Sequence, residues 1–142
     1  GGVALVSVPN FSSPEAEGMP PAWFHLDVPR HLTHFPAAVL REHLERRGLD
    51  VERESYLALE YDLFSCVQTW QNRLGLPQNL LFLMLKRERS PHRPPASWTQ
   101  RLAAALLLPL LLPVALVLTS WRAWIGKGAV VTFLARKGAR AS

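Results

Sequence analysis

The chain has 142 residues, of which 49% are hydrophobic, and its formal net charge at pH 7 is +5. This length suits one domain with a core of moderate size, and the positive charge favours an anionic partner such as a membrane surface. The basic loop at residues 86–97 has no aromatic stacking platform and no nucleic-acid motif, so we expect no nucleic-acid partner. The single cysteine, Cys66, excludes an internal disulfide and is expected to be a buried hydrophobe rather than a nucleophile.

The first predicted element is a β-strand. Residues 3–8 are mostly apolar or β-branched, and Pro9-Asn10 ends the run. The run is too short for a signal peptide and has no basic stretch before it. Its composition is that of a buried central strand, and a domain that opens on such a strand is expected to be a piece of a larger one. Residues 9–22 are rich in Pro, Ser and Gly and predict a loop.

A helix and two further strands are predicted. Pro36 suits a first helical position, and Gly48 suits the left-handed position that follows a helix. Residues 49–54 alternate between apolar and polar, as an edge strand does, and residues 129–136 form the last strand. Three strands and one crossover helix leave unpaired edges, so we expect an α/β fold that forms the end of a larger sheet.

The middle of the chain predicts apolar helices. Residues 62–74 have the spacing of an amphipathic helix, and residues 80–85 are an apolar run. Residues 102–121 carry no charge. A helix of this length is about long enough to span a bilayer.

Two features argue against a simple membrane crossing. Pro109 and Pro113 would kink the helix, and a single crossing would separate the last strand from its sheet. We therefore predict an inserted apolar hairpin, with arms at 76–85 and 102–120, that dips into the membrane or lies on it. Tryptophans suited to a membrane interface flank the second arm: Trp98, Trp121 and Trp124. The alternative is a cap on the sheet, or a dimer face, without lipid contact.

A family resemblance rests on two stretches, GGVALVSVPNFSS and the D-x-P-R-H-L-x-H-F motif at residues 27–35. They resemble the C-terminal half of class I S-adenosylmethionine-dependent methyltransferases, in a bacterial branch related to ubiquinone-type O-methyltransferases and to lipid- or glycan-linked methyltransferases. The resemblance implies a Rossmann-like doubly wound sheet, in which the predicted strands are the fifth, the sixth and the antiparallel seventh. It divides the chain into an α/β portion at 1–62, an apolar insertion at 63–125 and a final strand with a basic tail at 126–142.

The resemblance implies methyl transfer from S-adenosylmethionine to a hydrophobic or lipid-linked acceptor, at the cytoplasmic, inner face of a membrane. The family's glycine-rich cofactor loop, and its acidic residue that binds the ribose, are not found in residues 1–142. We therefore expect that this chain alone does not bind the cofactor. It is then either a truncated sequence of a complete enzyme or a naturally separate half of such an enzyme. The alternative is a small, basic, membrane-associated binding protein without catalysis.

The resemblance also places the loop after the first strand on the acceptor side of the transfer site, beyond the carboxyl ends of the parallel strands. His31 is then the first candidate for the base that takes the acceptor proton, and His34 is the second. Expected substrate contacts are Asn10, Asp27 and Arg30, with Arg30 neutralising an anionic substrate.

Structural roles stay open for the same residues. His34 could cap the following helix, and Asp27 with Arg30 could form an ion pair that closes the turn. His25 is expected to be structural. The histidines lack the spacing of a zinc site, so we expect no metal.

Overall fold

The computed structural model describes residues 2–27, 31–87 and 95–138, and has a mixed α/β fold. The strands are β1 (Val3–Pro9), β2 (Leu49–Ser55) and β3 (Val130–Lys137). The helices are α1 (Pro14–Gly18), α2 (Ala37–Arg46), α3 (Leu59–Arg73), α4 (Leu80–Lys86) and α5 (Trp98–Trp124), and two 3₁₀ turns cover Pro20–Ala22 and Phe24–Leu26.

The central strand of the sheet is β3, which is antiparallel to β1 on one side and to β2 on the other. It follows that β1 and β2, between which α2 lies in sequence, run in the same direction. All three strands lie where the sequence predicts them. The described strands contain no parallel neighbouring pair, so they form a mixed α/β arrangement rather than a complete doubly wound sheet.

The burial of β1 differs from the expectation of a buried central strand. Among the described residues β1 is an edge strand, and the side chains of Val3 and Leu5 are 55% and 71% exposed. Composition indicated burial because apolar and β-branched residues fill both sides of the strand. The apolar side chains are there, but no described element covers one of the two faces at these positions.

The opposite face of the sheet is covered by α2. This helix places Ala37, Leu40 and Leu44, at a spacing of three and four residues, against the sheet. They pack with Val131 and Phe133, which are fully buried on β3. The helix therefore holds the crossover close to the central strand.

Both ends of α2 are close to their predicted positions. Pro36 is the N-cap residue rather than the first helical one, and Gly48 has the left-handed φ of 75° expected after the helix. An exposed Glu42–Arg46 ion pair bridges successive turns.

Most of the other packing involves α3. It contacts α4, α5 and both 3₁₀ turns. Cys66 and Val67 form a buried apolar cluster with Leu81 of α4 and Ala115 of α5. The predicted insertion boundary at residue 63 falls inside this helix, which joins the loop of the α/β portion to the apolar helices.

The uncharged segment forms one continuous helix. α5 has 27 residues and runs through Pro109 and Pro113. By length and composition it is the one helix in the described part of the chain that could cross a membrane, and 17% of its most apolar window is buried. A buried core helix of a soluble protein passes the same test, but α5 is mostly exposed. The expected first arm of the hairpin is the seven-residue α4, which contacts α5.

Candidate functional site

The loop that follows β1 is closed at its base by Asn10. Its backbone N–H donates to the Ala129 carbonyl at 2.8 Å, and its side-chain Nδ2 donates to the Gly128 carbonyl at 3.0 Å. Its Oδ1 accepts from the backbone N–H and the hydroxyl of Ser12. Asn10 also forms a bridge with Phe35 at the far end of the loop. The side chain expected to contact substrate is therefore fully buried and engaged within the protein.

The two 3₁₀ turns of the loop are held by α3. The backbone N–H of Phe24 donates to Thr69 Oγ1 at 3.0 Å, and the Ala22 carbonyl accepts from Asn72 Nδ2 at 2.8 Å. Trp23, between them, is completely buried. These contacts fix the backbone at His25, on which the candidate histidines depend.

The carbonyl oxygen of His25 brings His31 and His34 together. It lies 3.4 Å from His31 Nδ1 and 3.0 Å from His34 Nε2. A carbonyl oxygen only accepts hydrogen bonds, so both ring nitrogens must donate to it. In the neutral rings, His31 therefore keeps its lone pair on Nε2 and His34 keeps its lone pair on Nδ1.

The two histidines differ in their surroundings. The His34 ring is partly buried, with its centroid 5.2 Å from that of Trp23 and 5.8 Å from that of Phe11. His31 is exposed, with its ring 5.9 Å from that of His34. An exposed imidazole whose Nδ1–H is held by a carbonyl has the orientation of a general base. Of the two catalytic candidates, His31 has the geometry that suits the role.

His34 does not cap the following helix, as one alternative expected. Among the described residues no side chain caps the N-terminus of α2, where Pro36 occupies the N-cap position. The aromatic contacts with Trp23 turn the His34 ring toward the 3₁₀ turns instead, and its Nε2 is satisfied by the His25 carbonyl.

The His25 side chain is buried beneath this pair. Burial, with smaller contributions from the charges of His31 and His34, lowers the pKa of His25 to about 4. Its Nε2 has no hydrogen-bond partner among the described residues. The ring is therefore neutral near pH 7, in keeping with the structural role expected for it.

The two remaining substrate candidates lie beside this cluster. Asp27 has a positive φ of 27°, and its carbonyl accepts from the His31 N–H at 3.2 Å. This hydrogen bond holds the backbone of His31 beside Asp27. Arg30, and with it the expected Asp27–Arg30 ion pair, lies outside the described residues.

A buried ion pair that the sequence did not predict joins the loop to α5. Arg122 Nη1 contacts Glu15 Oε1, and it lies 3.7 Å from the sulfur of Cys66. Glu15 lies in the short helix α1 of the loop. Burial raises the pKa of the Cys66 thiol to about 11, so the cysteine is not a nucleophile near neutral pH. The only indication of this ion pair in the sequence is that Arg122 directly follows the uncharged residues 102–121.

A second unpredicted feature is the set of polar side chains on the buried faces of α3. Gln71 Nε2 donates to the Ala104 carbonyl at 2.9 Å, and Gln68 Oε1 accepts from the Phe82 N–H at 3.0 Å. Asp62 Oδ1 accepts from the Val130 N–H at 3.1 Å, and burial raises the pKa of this carboxyl. The helical periodicity located only the apolar stripe, because polar residues beside such a stripe normally face solvent.

The glycines of the described residues do not follow the strand–loop–helix pattern of a glycine-rich cofactor loop. Their one close pair of glycines, Gly126 and Gly128, precedes a strand rather than a helix. A side chain at Gly128 would place its Cβ 2.1 Å from the Tyr56 carbonyl oxygen, so this glycine permits close backbone packing. The described residues also hold no cluster of His, Cys, Asp and Glu suited to a metal ion.

Comparison with protein-family models, with curated proteins and with solved structures finds no match for this chain.

Proposed function

We propose that this chain is the acceptor-side part of a class I S-adenosylmethionine-dependent methyltransferase. The observation that supports the proposal most strongly is the strand arrangement. The resemblance assigns β1, β2 and β3 to the fifth, sixth and antiparallel seventh strands of that enzyme class. In agreement with that assignment, β1 and β2 run in the same direction, and β3 lies antiparallel between them.

The free edge of β1 is the proposed junction with a cofactor-binding half. Bonds at Asn10 N–H and at the Gly2 carbonyl show that even-numbered residues of β1 pair with β3. In an antiparallel ladder the odd-numbered residues then point their backbone N–H groups away from β3. The N–H groups of Val3, Leu5 and Ser7 thus point to the open edge. There the carbonyl oxygens of another strand would accept their hydrogen bonds.

The proposed role of this chain in catalysis is confined to the acceptor. When bound to its own half of the enzyme, the cofactor supplies an electrophilic methyl group. Where the acceptor is a hydroxyl, His31 Nε2 would accept the hydroxyl proton, while the sulfonium of the cofactor would give its methyl group to the acceptor oxygen and leave as a neutral thioether. His25 and His34 position this imidazole through one carbonyl and one ring contact, and Asp27 fixes the backbone beside it.

The proposed location is the inner face of a membrane, and the proposed acceptor is lipid-linked or otherwise hydrophobic. The exposed apolar surface of α5 supports this proposal, together with the net positive charge of the chain. The packing of α4 on α5 supports a short apolar hairpin that stays on one side of the membrane.

The experiment follows a labelled methyl group from S-adenosylmethionine into a bacterial lipid extract, using the intact product of the gene. We expect label in the lipid phase, and a His31→Gln variant about a hundredfold or more slower at unchanged thermal stability. His43→Gln is the matched control: His43 lies on α2 outside the loop, where its Nδ1 bonds to the Val39 carbonyl and its ring contacts Phe35, so this variant should keep wild-type turnover. Equal turnover in the His31 and His43 variants would remove His31 from the mechanism.

The second candidate function is a membrane-associated binding protein without catalysis. It is favoured by the large exposed apolar surface of α5, which does not depend on a methyl-transfer site. The same assay separates the two candidates, because a binding protein transfers no label and its His31 variant behaves like wild type.

A further inference from the structure

The helix α5 has two sides of different character. Its inner side packs on α3 through residues at a spacing of three and four: Ala104, Leu108, Leu111, Ala115, Leu118 and Arg122. On the opposite side, an outer stripe is formed by Leu106, Leu110, Val117, Trp121 and Trp124. The exposed fractions of these side chains range from 52% to 83%. The helix is about 40 Å long at 1.5 Å per residue, so this apolar stripe extends far beyond a local patch.

Both ends of α5 are attached to the same folded body. Near its beginning, the Ala104 carbonyl accepts from Gln71 of α3. Near its end, Arg122 forms the buried pair with Glu15. Just beyond it, the N–H of Val130 donates to Asp62, which also lies on α3. A bilayer crossing by α5 would have to carry the buried polar groups of α3 into hydrocarbon or break these contacts.

The two prolines also argue against a deep position. Pro109 and Pro113 have no N–H to donate to the carbonyls of Ala105 and Pro109. Ala105 and both prolines are exposed on the helix surface. In the hydrocarbon core those carbonyls would lack a partner, whereas at headgroup level water reaches them.

The ends of α5 have the residues expected at a lipid interface. Trp98 is 74% exposed at one end, and Trp124 is 83% exposed at the other. Arg101 near the start and Lys127 just after the end are exposed cations. Interfacial tryptophans with flanking basic residues favour anionic lipid headgroups over a second copy of the chain, which would bring the same cations together.

We infer that α5 lies in the plane of an anionic bilayer surface, with its outer stripe among the upper parts of the acyl chains and its basic ends against the headgroups. This inference deepens the proposed membrane location by naming the docking face, its orientation and the lipid charge. It does not depend on methyl transfer.

The test of docking is cosedimentation of the intact protein with phosphatidylcholine vesicles, with and without phosphatidylglycerol. We expect binding that needs phosphatidylglycerol and weakens with added salt. The variant Leu110→Lys/Val117→Lys, at two exposed positions of the outer stripe, should bind at least about tenfold more weakly. Leu57→Lys is the matched control, since Leu57 is 62% exposed outside α5, and it should bind as wild type does.

The test of orientation is quenching of the exposed tryptophans by lipids brominated either near the headgroup or near the chain end. Stronger quenching by the shallow label supports the in-plane position, whereas stronger quenching by the deep label would overturn it. A lipid-free dimer that the outer-stripe variant dissociates, without vesicle binding, would assign the face to a second copy instead. Because neither readout uses S-adenosylmethionine, failure here is distinguishable from failure of the methyltransferase proposal.

Discussion

The carbonyl oxygen of His25 lies within hydrogen-bonding distance of one ring nitrogen of His31 and one of His34. By accepting from both His31 and His34, it fixes which ring nitrogen of each can take a proton. The sequence shows that three histidines share the loop, but tautomers depend on contacts that no local pattern encodes. The family resemblance implied that Asn10 contacts substrate, whereas its side-chain amide forms the hydrogen bonds that close the loop.

Burial of His25 makes the stability of the protein depend on pH. The pKa is about 4 in the folded protein and near 6.5 in the unfolded chain, so the unfolded state binds the proton more tightly. The contribution of the neutral His25 ring to the free energy of unfolding is therefore fully present above pH 6.5. It is lost as the pH falls through 4, and the loss is about 3 kcal/mol at most. Urea unfolding measured between these pH values should show this slope, and His25→Gln should flatten it. A variant that keeps the full slope would mean that other groups cause it.

Among the helices, α3 contributes most to the organisation of the fold because its polar side chains bond to the backbone of neighbouring elements. Asn72 Nδ2 donates to the Ala22 carbonyl, and Asn72 Oδ1 accepts from the Asn79 N–H. The sequence predicted the helix and most of its apolar stripe: Leu63, Val67 and Trp70 pack inward, whereas Leu74, the fourth predicted position, is the exposed C-cap residue. It did not predict the polar contacts, because amphipathic spacing alone does not show that a helix is surrounded on several sides.

Replacing Asn72 should therefore destabilise the protein. Asn72→Leu leaves backbone groups of two neighbouring segments unpaired in a buried site, with an expected loss of about 2 kcal/mol or more in unfolding free energy. Arg73→Leu, at the adjacent exposed position, should change stability by less than about 0.5 kcal/mol. Equal losses in the two variants, measured by urea denaturation, would show that the polar contacts of α3 contribute little.

The edge of β1 yields a prediction for hydrogen exchange. In residues 1–142 alone, the amides of Val3, Leu5 and Ser7 face the open edge and should exchange rapidly, while those of Ala4 and Val6 are protected by β3. In the intact gene product, pairing with a further strand should protect the first group as well. If these edge amides exchange equally fast in both proteins, the sheet does not continue at β1.

At the scale of the whole molecule, the sequence predicted the elements better than their assembly. The three strands, α2 and α3 lie close to their predicted positions, because hydrophobic periodicity and the Pro and Gly signals act locally. The assembly depends on long-range contacts, such as the buried Glu15–Arg122 pair. That pair connects a loop residue to a helix more than a hundred positions away, so local patterning could not predict it.

The most direct test of the methyltransferase proposal is calorimetric titration with S-adenosylmethionine. It compares residues 1–142 with the intact product of the same gene. The proposal predicts binding by the intact protein and none by residues 1–142, since these residues contain no glycine-rich cofactor loop. An intact protein that does not bind S-adenosylmethionine would contradict the proposal and leave the apolar face of α5 as the main functional feature.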